Sequence, residues 1–247
     1  MAAIRSYLAR AILKLRTSTL LSQLEGLFGT ALAPNVVDKG SDAVDPAEAN
    51  YLSAAAFAEG RAKLGERGED VTAVAMHSSV YYYLVQVGAL TFSTSALSTG
   101  GAVEWGGGGI NLRSDEVAFF MGARVIVDDM LEPAATGTSG DYKEYPVYLF
   151  GGGVVSEGVQ QELRTELDRN ILSKQDVMSL DYHYGMHVMG TTWESAYDNP
   201  KNAQTANTAA GIGLDAAANW SLAYQTTKLV PIVKMLVNTP LDLSKYA

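Results

Sequence analysis

Two of the three histidines in this sequence lie near an aspartate, in a pattern that could bind a metal ion. Asp181, His183 and His187 form the string D-x-H-x-x-x-H. On a strand these side chains would share one face, with Asp181 and His187 roughly 20 Å apart, whereas zinc holds its ligands within about 2.1 Å. On a helix His183 and His187 would be neighbours, but Gly185 and Val188 disfavour a helix. We therefore predict no metal site here.

The third histidine, His77, precedes Ser78 and Ser79, and the three could supply a base and a nucleophile for acyl transfer. A serine hydrolase places its nucleophile on a strained turn flanked by glycines, and this segment lacks those glycines. Serine is also a preferred residue at the start of a helix, where its hydroxyl accepts a backbone N–H. We therefore predict that the serines cap a helix.

Two further sequence patterns contain residue types that occur in catalytic or phosphate-binding sites. Asp128 and Asp129 could form an acid–base pair, but carboxylates at the end of a strand are more often solvated or paired with an arginine of a neighbouring molecule. The glycine runs at residues 106–109 and 151–153 lack the Lys-Ser/Thr and the helix start of a phosphate-binding loop. Cysteine is absent. We predict no catalytic, cofactor-binding or metal-binding residues.

The composition describes a chain that can bury a core and carries an uneven charge. Of the 247 residues, 47% are hydrophobic and 18% are charged. Four basic residues precede the first acidic residue, Glu25, which leaves 14 basic against 27 acidic residues beyond position 24, a net charge of −13. Such an acidic body disfavours a dedicated nucleic-acid binder. No apolar run reaches the roughly 20 residues that a membrane-spanning helix needs.

Helical spacing dominates the first third of the sequence. Apolar residues recur at that spacing over residues 4–28 and Gly29 follows, which predicts one long helix or two in line. The string DPAE opens a second predicted helix, over residues 45–63. A third helix is predicted over residues 80–87, ended by Gly88.

Strands dominate after residue 110. Apolar runs predict strands over residues 71–76, 116–120, 124–128, 145–150, 154–157, 176–193 and 230–237. We expect residues 125–127 to be buried and residues 151–153 to form a hairpin or a bulge. Polar composition predicts loops over residues 93–111, 133–140 and 195–213 and a polar segment over 163–175, before a short helix around 214–224. The sum is an α+β fold.

Several strings occur in a distinctive order. They are residues 74–81 (VAMHSSVY), 121–129 (MGARVIVDD) and 145–151 (YPVYLFG), followed by 190–193 (GTTW) and 219–220 (NW). In order and spacing they resemble the major capsid proteins of tailed bacteriophages with the Hong Kong 97-type fold. The similarity covers most of the chain and is weakest at residues 93–115 and 195–213.

The resemblance implies an α+β Hong Kong 97-type capsid fold, with an axial domain and part of a peripheral domain that includes a long spine helix. It places the peripheral domain at residues 1–69 and 185–225 and the axial domain at residues 70–184 and 226–247. Family members carry an N-terminal arm and an extended loop before the spine helix. The resemblance therefore also implies that this chain lacks both.

The implied function is structural, without enzymatic activity or cofactor: self-association into capsomers of an icosahedral shell around phage DNA. The implied location is the virion capsid, after synthesis in the bacterial host cytoplasm. The implied partners are copies of the chain, with portal, scaffolding or decoration proteins as further candidates, at most nonspecific contact with packaged DNA, and no membrane. One alternative is an encapsulin-like nanocompartment shell protein. Another is a hydrolase or metal enzyme that uses His183 and His187.

Overall fold

Three α-helices and twelve β-strands form the part of the chain that the computed structural model describes, which is residues 2–41, 46–94, 116–136, 142–170, 175–193 and 213–241. The helices are α1 (Ala2–Gly29), α2 (Ala54–Lys63) and α3 (Ser78–Val87). The strands are β1 (Val36–Asp38), β2 (Val71–Met76), β3 (Thr91–Thr94), β4 (Glu116–Phe120), β5 (Ala123–Val127), β6 (Ala134–Thr136), β7 (Tyr142–Gly151), β8 (Val155–Asn170), β9 (Gln175–Val188), β10 (Thr191–Trp193), β11 (Trp220–Leu222) and β12 (Ile232–Val237). The predicted mixture of helices and strands, with mostly strands after residue 110, is confirmed.

The chain divides into two compact units. The first, which we call the ribbon unit, comprises Met1–Leu27 and Gly153–Tyr224. The second, the sheet unit, comprises Phe28–Gly152 and Gln225–Ala247. The boundaries thus fall after residues 27, 152 and 224, whereas the resemblance places domain boundaries after residues 69, 184 and 225. The terms peripheral and axial describe where a domain lies in an assembled shell. The assignment of the two domains therefore stays a prediction.

The sheet unit contains an eight-stranded sheet in the order β1-β12-β7-β2-β5-β4-β3, with β6 paired to β7. The pairs β1–β12 and β2–β5 are parallel, and the other pairs are antiparallel. Each of the strands β12, β7, β2, β5 and β4 therefore has a neighbouring strand on both sides, which fits their apolar sequences.

Helices α2 and α3 pack on the core of this sheet. Phe57 of α2 meets Phe120 of β4 edge to face, with ring centroids 5.4 Å apart. Val80 and Leu84 of α3 join the same buried cluster as the strand residue Leu149. Each large aliphatic side chain buried in this way contributes about 1.5–3 kcal/mol to folding. Helix α3 connects β2 to β3, and it begins directly after the carboxyl end of β2, which pairs with β5.

The ribbon unit contains a long antiparallel pair, β8–β9, which runs from Val155 opposite Val188 to Asn170 opposite Gln175. A second antiparallel pair, β10–β11, places Trp193 opposite Trp220, and their rings meet edge to face at 4.9 Å. Within this unit the second half of α1 lies against the β8–β9 ribbon.

Several predicted elements are confirmed. Strand β2 has the predicted bounds, and strand β12 lies within its predicted segment. Helix α1 is continuous over 28 residues. Helix α3 ends at Gly88, whose left-handed conformation (φ 72°) suits glycine.

The predicted start of the second helix is wrong. Residues Glu48–Asn50 form a 3-10 turn, and α2 begins only at Ala54, where the Ser53 side chain accepts the Ala56 N–H at 3.2 Å. The extended segment between them pairs with a distant part of the chain: Tyr51 bridges Asn238, and the Asn238 N–H donates to the Asn50 carbonyl at 3.0 Å. This pairing displaces the local helix signal.

Other local predictions differ from the structure. Strands β7 and β8, on either side of residues 151–153, pair with different partners, so the hairpin alternative is wrong. Residues 163–170, predicted as part of a polar segment, form the second half of β8. The segment 214–224 contains a 3-10 turn (Ala217–Asn219) and β11 instead of a helix. Strand β6 occupies the start of the loop expected at 133–140.

The run at residues 125–127 is not buried throughout. Val125 is buried, but Ile126 is 45% and Val127 is 44% exposed. Successive side chains of a strand point to opposite faces, so Ile126 lies away from the core that encloses Val125, and Val127 ends the strand. The loops expected at 93–111 and 195–213 lie almost wholly outside the described residues, apart from the end of β3 and Gly213.

Within the described ranges, no helix is both long enough and apolar enough to cross a membrane.

Candidate functional site

Two of the candidate residue groups meet at one edge of the large sheet. Parallel pairing sets Met76 of β2 opposite Val127 of β5, and the Asp128 N–H donates to the Met76 carbonyl at 3.1 Å. The next residues along each strand are His77 and Asp129, which therefore lie at the same edge. We call this group, with Ser78, the edge cluster.

The edge cluster is held together by Asp129. Its Oδ1 accepts the Ser78 N–H at 3.2 Å and lies 3.7 Å from His77 Nε2. The hydrogen bond with the Ser78 side chain holds the pKa of Asp129 below its ordinary value, against an opposing effect of burial. The Ser78 N–H and the nearby His77 lower the same pKa. A carboxylate at the first turn of a helix is also favoured by the helix dipole.

In this geometry the edge cluster caps the start of α3. His77 is the N-cap of α3, and its Nδ1 accepts the Ser79 N–H at 3.1 Å. The prediction that the segment caps a helix is confirmed, but the capping side chain is the histidine, and the serines are the first helical residues. The imidazole thus receives a backbone N–H while the Ser78 side chain bonds a carboxylate, which differs from the serine-to-histidine hydrogen bond that activates a nucleophile.

The second histidine group is spread along β9. Asp181 lies opposite Arg164, His183 opposite Gln161, and His187 opposite Ser156. The predicted strand is confirmed. His187 Nε2 lies 2.8 Å from the Thr191 carbonyl oxygen and is engaged there. In the ranges given above, no group of three or more histidine, aspartate or glutamate side chains could hold a metal ion.

The glycines at 151–153 serve the backbone. The Gly151 N–H donates to the Pro231 carbonyl at 2.7 Å, and the Gly152 N–H donates to the Asp70 carbonyl at 3.1 Å. Gly153 has a φ of 71°. These N–H groups are therefore used within the fold, unlike those of a phosphate-binding loop. The other glycine run, 106–109, lies outside the described residues.

One of three consecutive tyrosines lies outside the core, as the helical spacing requires. Tyr82 is exposed, while Tyr81 and Tyr83 pack against the buried cluster. The Tyr83 ring meets Tyr51 edge to face at 5.3 Å. Burial, with Glu48 and Tyr51 nearby, raises the pKa of Tyr83.

The prediction of a long helix over residues 4–28 did not say which part of α1 is covered and which is exposed. Its second half contacts the ribbon: the hydroxyls of Thr19 and Tyr184 lie 2.9 Å apart, and Gln23 Nε2 donates to the Met186 carbonyl at 2.8 Å. Its first half exposes large apolar side chains, among them Tyr7. The signal for this was present, because the apolar and basic residues of 7–16 surround the helix instead of forming one stripe.

Comparison with known proteins adds to this geometry. Residues 2–231 match the family model Gp13-like, described as "Major capsid protein 13-like". A "Major capsid protein" of Bacillus phage SPP1 is 29% identical over 228 residues, which is 92% of this chain and 60% of that protein. The chain thus spans about three fifths of the length of the curated relative that it matches.

A mixed α+β chain that matches a capsid model over nearly its whole length is of the major capsid protein class. The chain belongs to the Gp13-like family of major capsid proteins.

Proposed function

We propose that this chain is a structural subunit of a phage capsid, which associates with copies of itself into capsomers and through them into an icosahedral shell around DNA. The match over residues 2–231 carries the proposal. Bacillus phage SPP1 is the source of the matching "Major capsid protein", so a phage shell is preferred to a nanocompartment. The proposed location is the virion capsid, after synthesis in the host cytoplasm.

The proposal includes a Hong Kong 97-type fold in which α1 is the spine helix. Two features support this assignment. Helix α1 spans 28 residues, about 42 Å at 1.5 Å per residue. Along the sequence, segments of the ribbon unit and of the sheet unit also alternate twice. The resemblance implies the same alternation of peripheral and axial segments. We assign the ribbon unit to the peripheral position and the sheet unit to the axial position.

The proposed role is not enzymatic, and it uses no cofactor or metal. The family role is structural, and the edge cluster has capping geometry. Copies of the chain are the proposed principal partners. Portal, scaffolding and decoration proteins remain further candidates, with at most nonspecific contact to DNA.

Negative-stain electron microscopy of the purified chain at high concentration tests this proposal. We expect small regular oligomers of the size of capsomers or parts of them. A field of particles that all have the size of a single chain would contradict self-association. The variant His183→Ala/His187→Ala should form the same oligomers. His183 is exposed, and His187 contacts the Thr191 carbonyl oxygen within its own unit.

A further inference from the structure

The first half of α1 has an exposed surface of mixed apolar and basic character. Tyr7 is 76%, Leu13 59% and Leu15 56% exposed. Arg10 and Lys14 lie among them and are exposed as well. We call these five residues the helix surface. Apolar side chains of this size seldom cluster in water without a partner.

The helix surface is directed away from the ribbon of its own chain. Arg16 forms an ion pair with Glu157, and Thr19 and Gln23 make the two ribbon contacts described above. At 3.6 residues per turn, these three positions share one side of the helix. Tyr7, Arg10 and Lys14 lie on the opposite side of the helix, and β8 and β9 of the same chain leave that side open. Leu13 and Leu15 lie at its two flanks.

The β8–β9 ribbon presents a surface of matching chemistry. Val159 and Leu163 are 49% and 42% exposed. Glu162 and Glu166 are exposed beside them along the strand, and Glu166 forms an ion pair with Arg164 of the same strand. We call these four residues the ribbon surface. Along β8, residues 156–160 and 162–166 are exposed on both faces of the ribbon. A two-stranded ribbon is marginally stable in water, so a partner on this surface would stabilise it.

Charge indicates which molecule fits the helix surface. The first 24 residues hold four basic and no acidic side chains, whereas the remainder carries a net charge of −13. Two helix surfaces would repel each other, because both are basic. An acidic surface with apolar side chains is complementary, and the pairing of Arg16 with Glu157 uses the same chemistry within one chain.

We propose that the helix surface of one copy docks on the ribbon surface of a second copy. This inference rests on the proposed function and names one interface of the shell. The two surfaces differ, so each copy binds one neighbour through α1 and another through β8. Contacts of this head-to-tail kind generate closed rings when the rotation between copies closes, which is the form of a capsomer.

A charge exchange tests the interface. The variant Arg10→Glu/Lys14→Glu reverses the helix surface, and Glu162→Lys/Glu166→Lys reverses the ribbon surface. We expect each variant alone to weaken association by about tenfold or more, because like charges then face each other. An equimolar mixture should recover association, since a reversed helix surface can meet a reversed ribbon surface. Circular dichroism checks that each variant folds.

The control variant is Lys63→Glu/Lys228→Glu, which makes the same charge change at exposed positions of the sheet unit. It should associate like the unaltered chain. Sedimentation velocity measures all four proteins and the mixture, at low and high salt, and high salt should weaken the unaltered contact.

The outcomes separate this inference from the proposed function. Unchanged association of both reversed variants, or a mixture that does not recover, would overturn the interface and leave self-association standing. An unaltered chain that never associates would overturn the proposed function itself. If the helix variant loses binding to a DNA duplex while its self-association is unchanged, the helix surface binds nucleic acid and the interface is rejected.

Discussion

At the scale of single residues, Asp129 shows how a carboxylate can stabilise the fold at a sheet edge. Its hydrogen bonds reach Ser78 at the first turn of α3, and they hold its pKa below the ordinary value. A lowered pKa in the folded state means that the stabilisation is present above the ordinary pKa and is lost as the pH falls through the lowered value. The side chain is largely exposed, so solvent screens the effect.

We therefore predict that Asp129→Asn lowers the free energy of unfolding by about 0.5 kcal/mol at pH 7, the usual size of a charge effect at an exposed helix start. The difference from the unaltered chain should disappear at pH values well below about 4, where both side chains are neutral. Urea denaturation at several pH values measures this. Glu132→Gln, a neutralisation close to the same edge, should have no effect. If Asp129→Asn lowered the free energy of unfolding at acidic pH as much as at pH 7, the charge argument would be contradicted.

The buried side chain of Asn35, in the 3-10 turn before β1, hydrogen-bonds the segment that leads into β12. Its amide nitrogen lies 3.1 Å from the carbonyl oxygens of Thr227 and Ile232 and 3.4 Å from that of Val230. Asn35→Ala removes the amide donor, so these buried carbonyl groups lose a hydrogen-bond partner. The free energy of unfolding should therefore fall by about 1–3 kcal/mol. Thermal unfolding measures the loss. Gln86→Ala, which truncates an exposed amide side chain of α3, provides a comparison substitution, and equal effects of the two would argue against the buried bonds.

At the scale of elements, α1 approaches its own unit closely at Gly26. A Cβ atom on residue 26 would lie 2.4 Å from the Leu214 carbonyl oxygen and 2.7 Å from Trp220 Nε1, the two atoms joined by a 2.8 Å hydrogen bond. Gly26→Ala should therefore separate the helix from Trp220 and cost about 1–3 kcal/mol.

Tryptophan fluorescence during urea unfolding measures the effect of Gly26→Ala, because Trp220 lies at the contact. Gly158→Ala is the matched control, since nothing lies within 4 Å of the added Cβ atom. A Gly26→Ala variant as stable as this control would show that the close approach is not needed.

Elements defined by local signals could be predicted from the sequence, and those defined by pairing could not. Strand β2 and helix α3 carry their own apolar patterns and end signals. Strand β8 has no buried face over most of its length, so it lacks the alternation that marks a strand, and only pairing with β9 forms it. The start of α2 depends on Asn238, far away in the sequence.

The same distinction applies to the edge cluster. The capping role of residues 77–79 is a local property and could be predicted. The approach of Asp129 to Ser78 crosses 51 positions of sequence. It follows from the parallel pairing of β2 with β5, which no local sequence pattern indicates. The hydrogen bond from Ser78 that lowers the pKa of Asp129 depends on this approach.

At the scale of the whole molecule, the acidic body and the basic first helix act together. The uneven charge keeps like surfaces apart and favours contact between unlike ones. A subunit built in this way should associate more weakly as salt increases, because contacts between exposed charges are screened beyond about 8 Å at physiological ionic strength. The association would then depend on apolar contact for strength and on charge for orientation.

Sedimentation velocity of the purified chain over a concentration series tests the central claim, self-association, most directly. A single chain has a mass of 26.3 kDa. We predict that the weight-average mass rises above this value with concentration and falls again when salt is added. A mass that stays at that of one chain at every concentration, for a protein shown to be folded, would contradict the account.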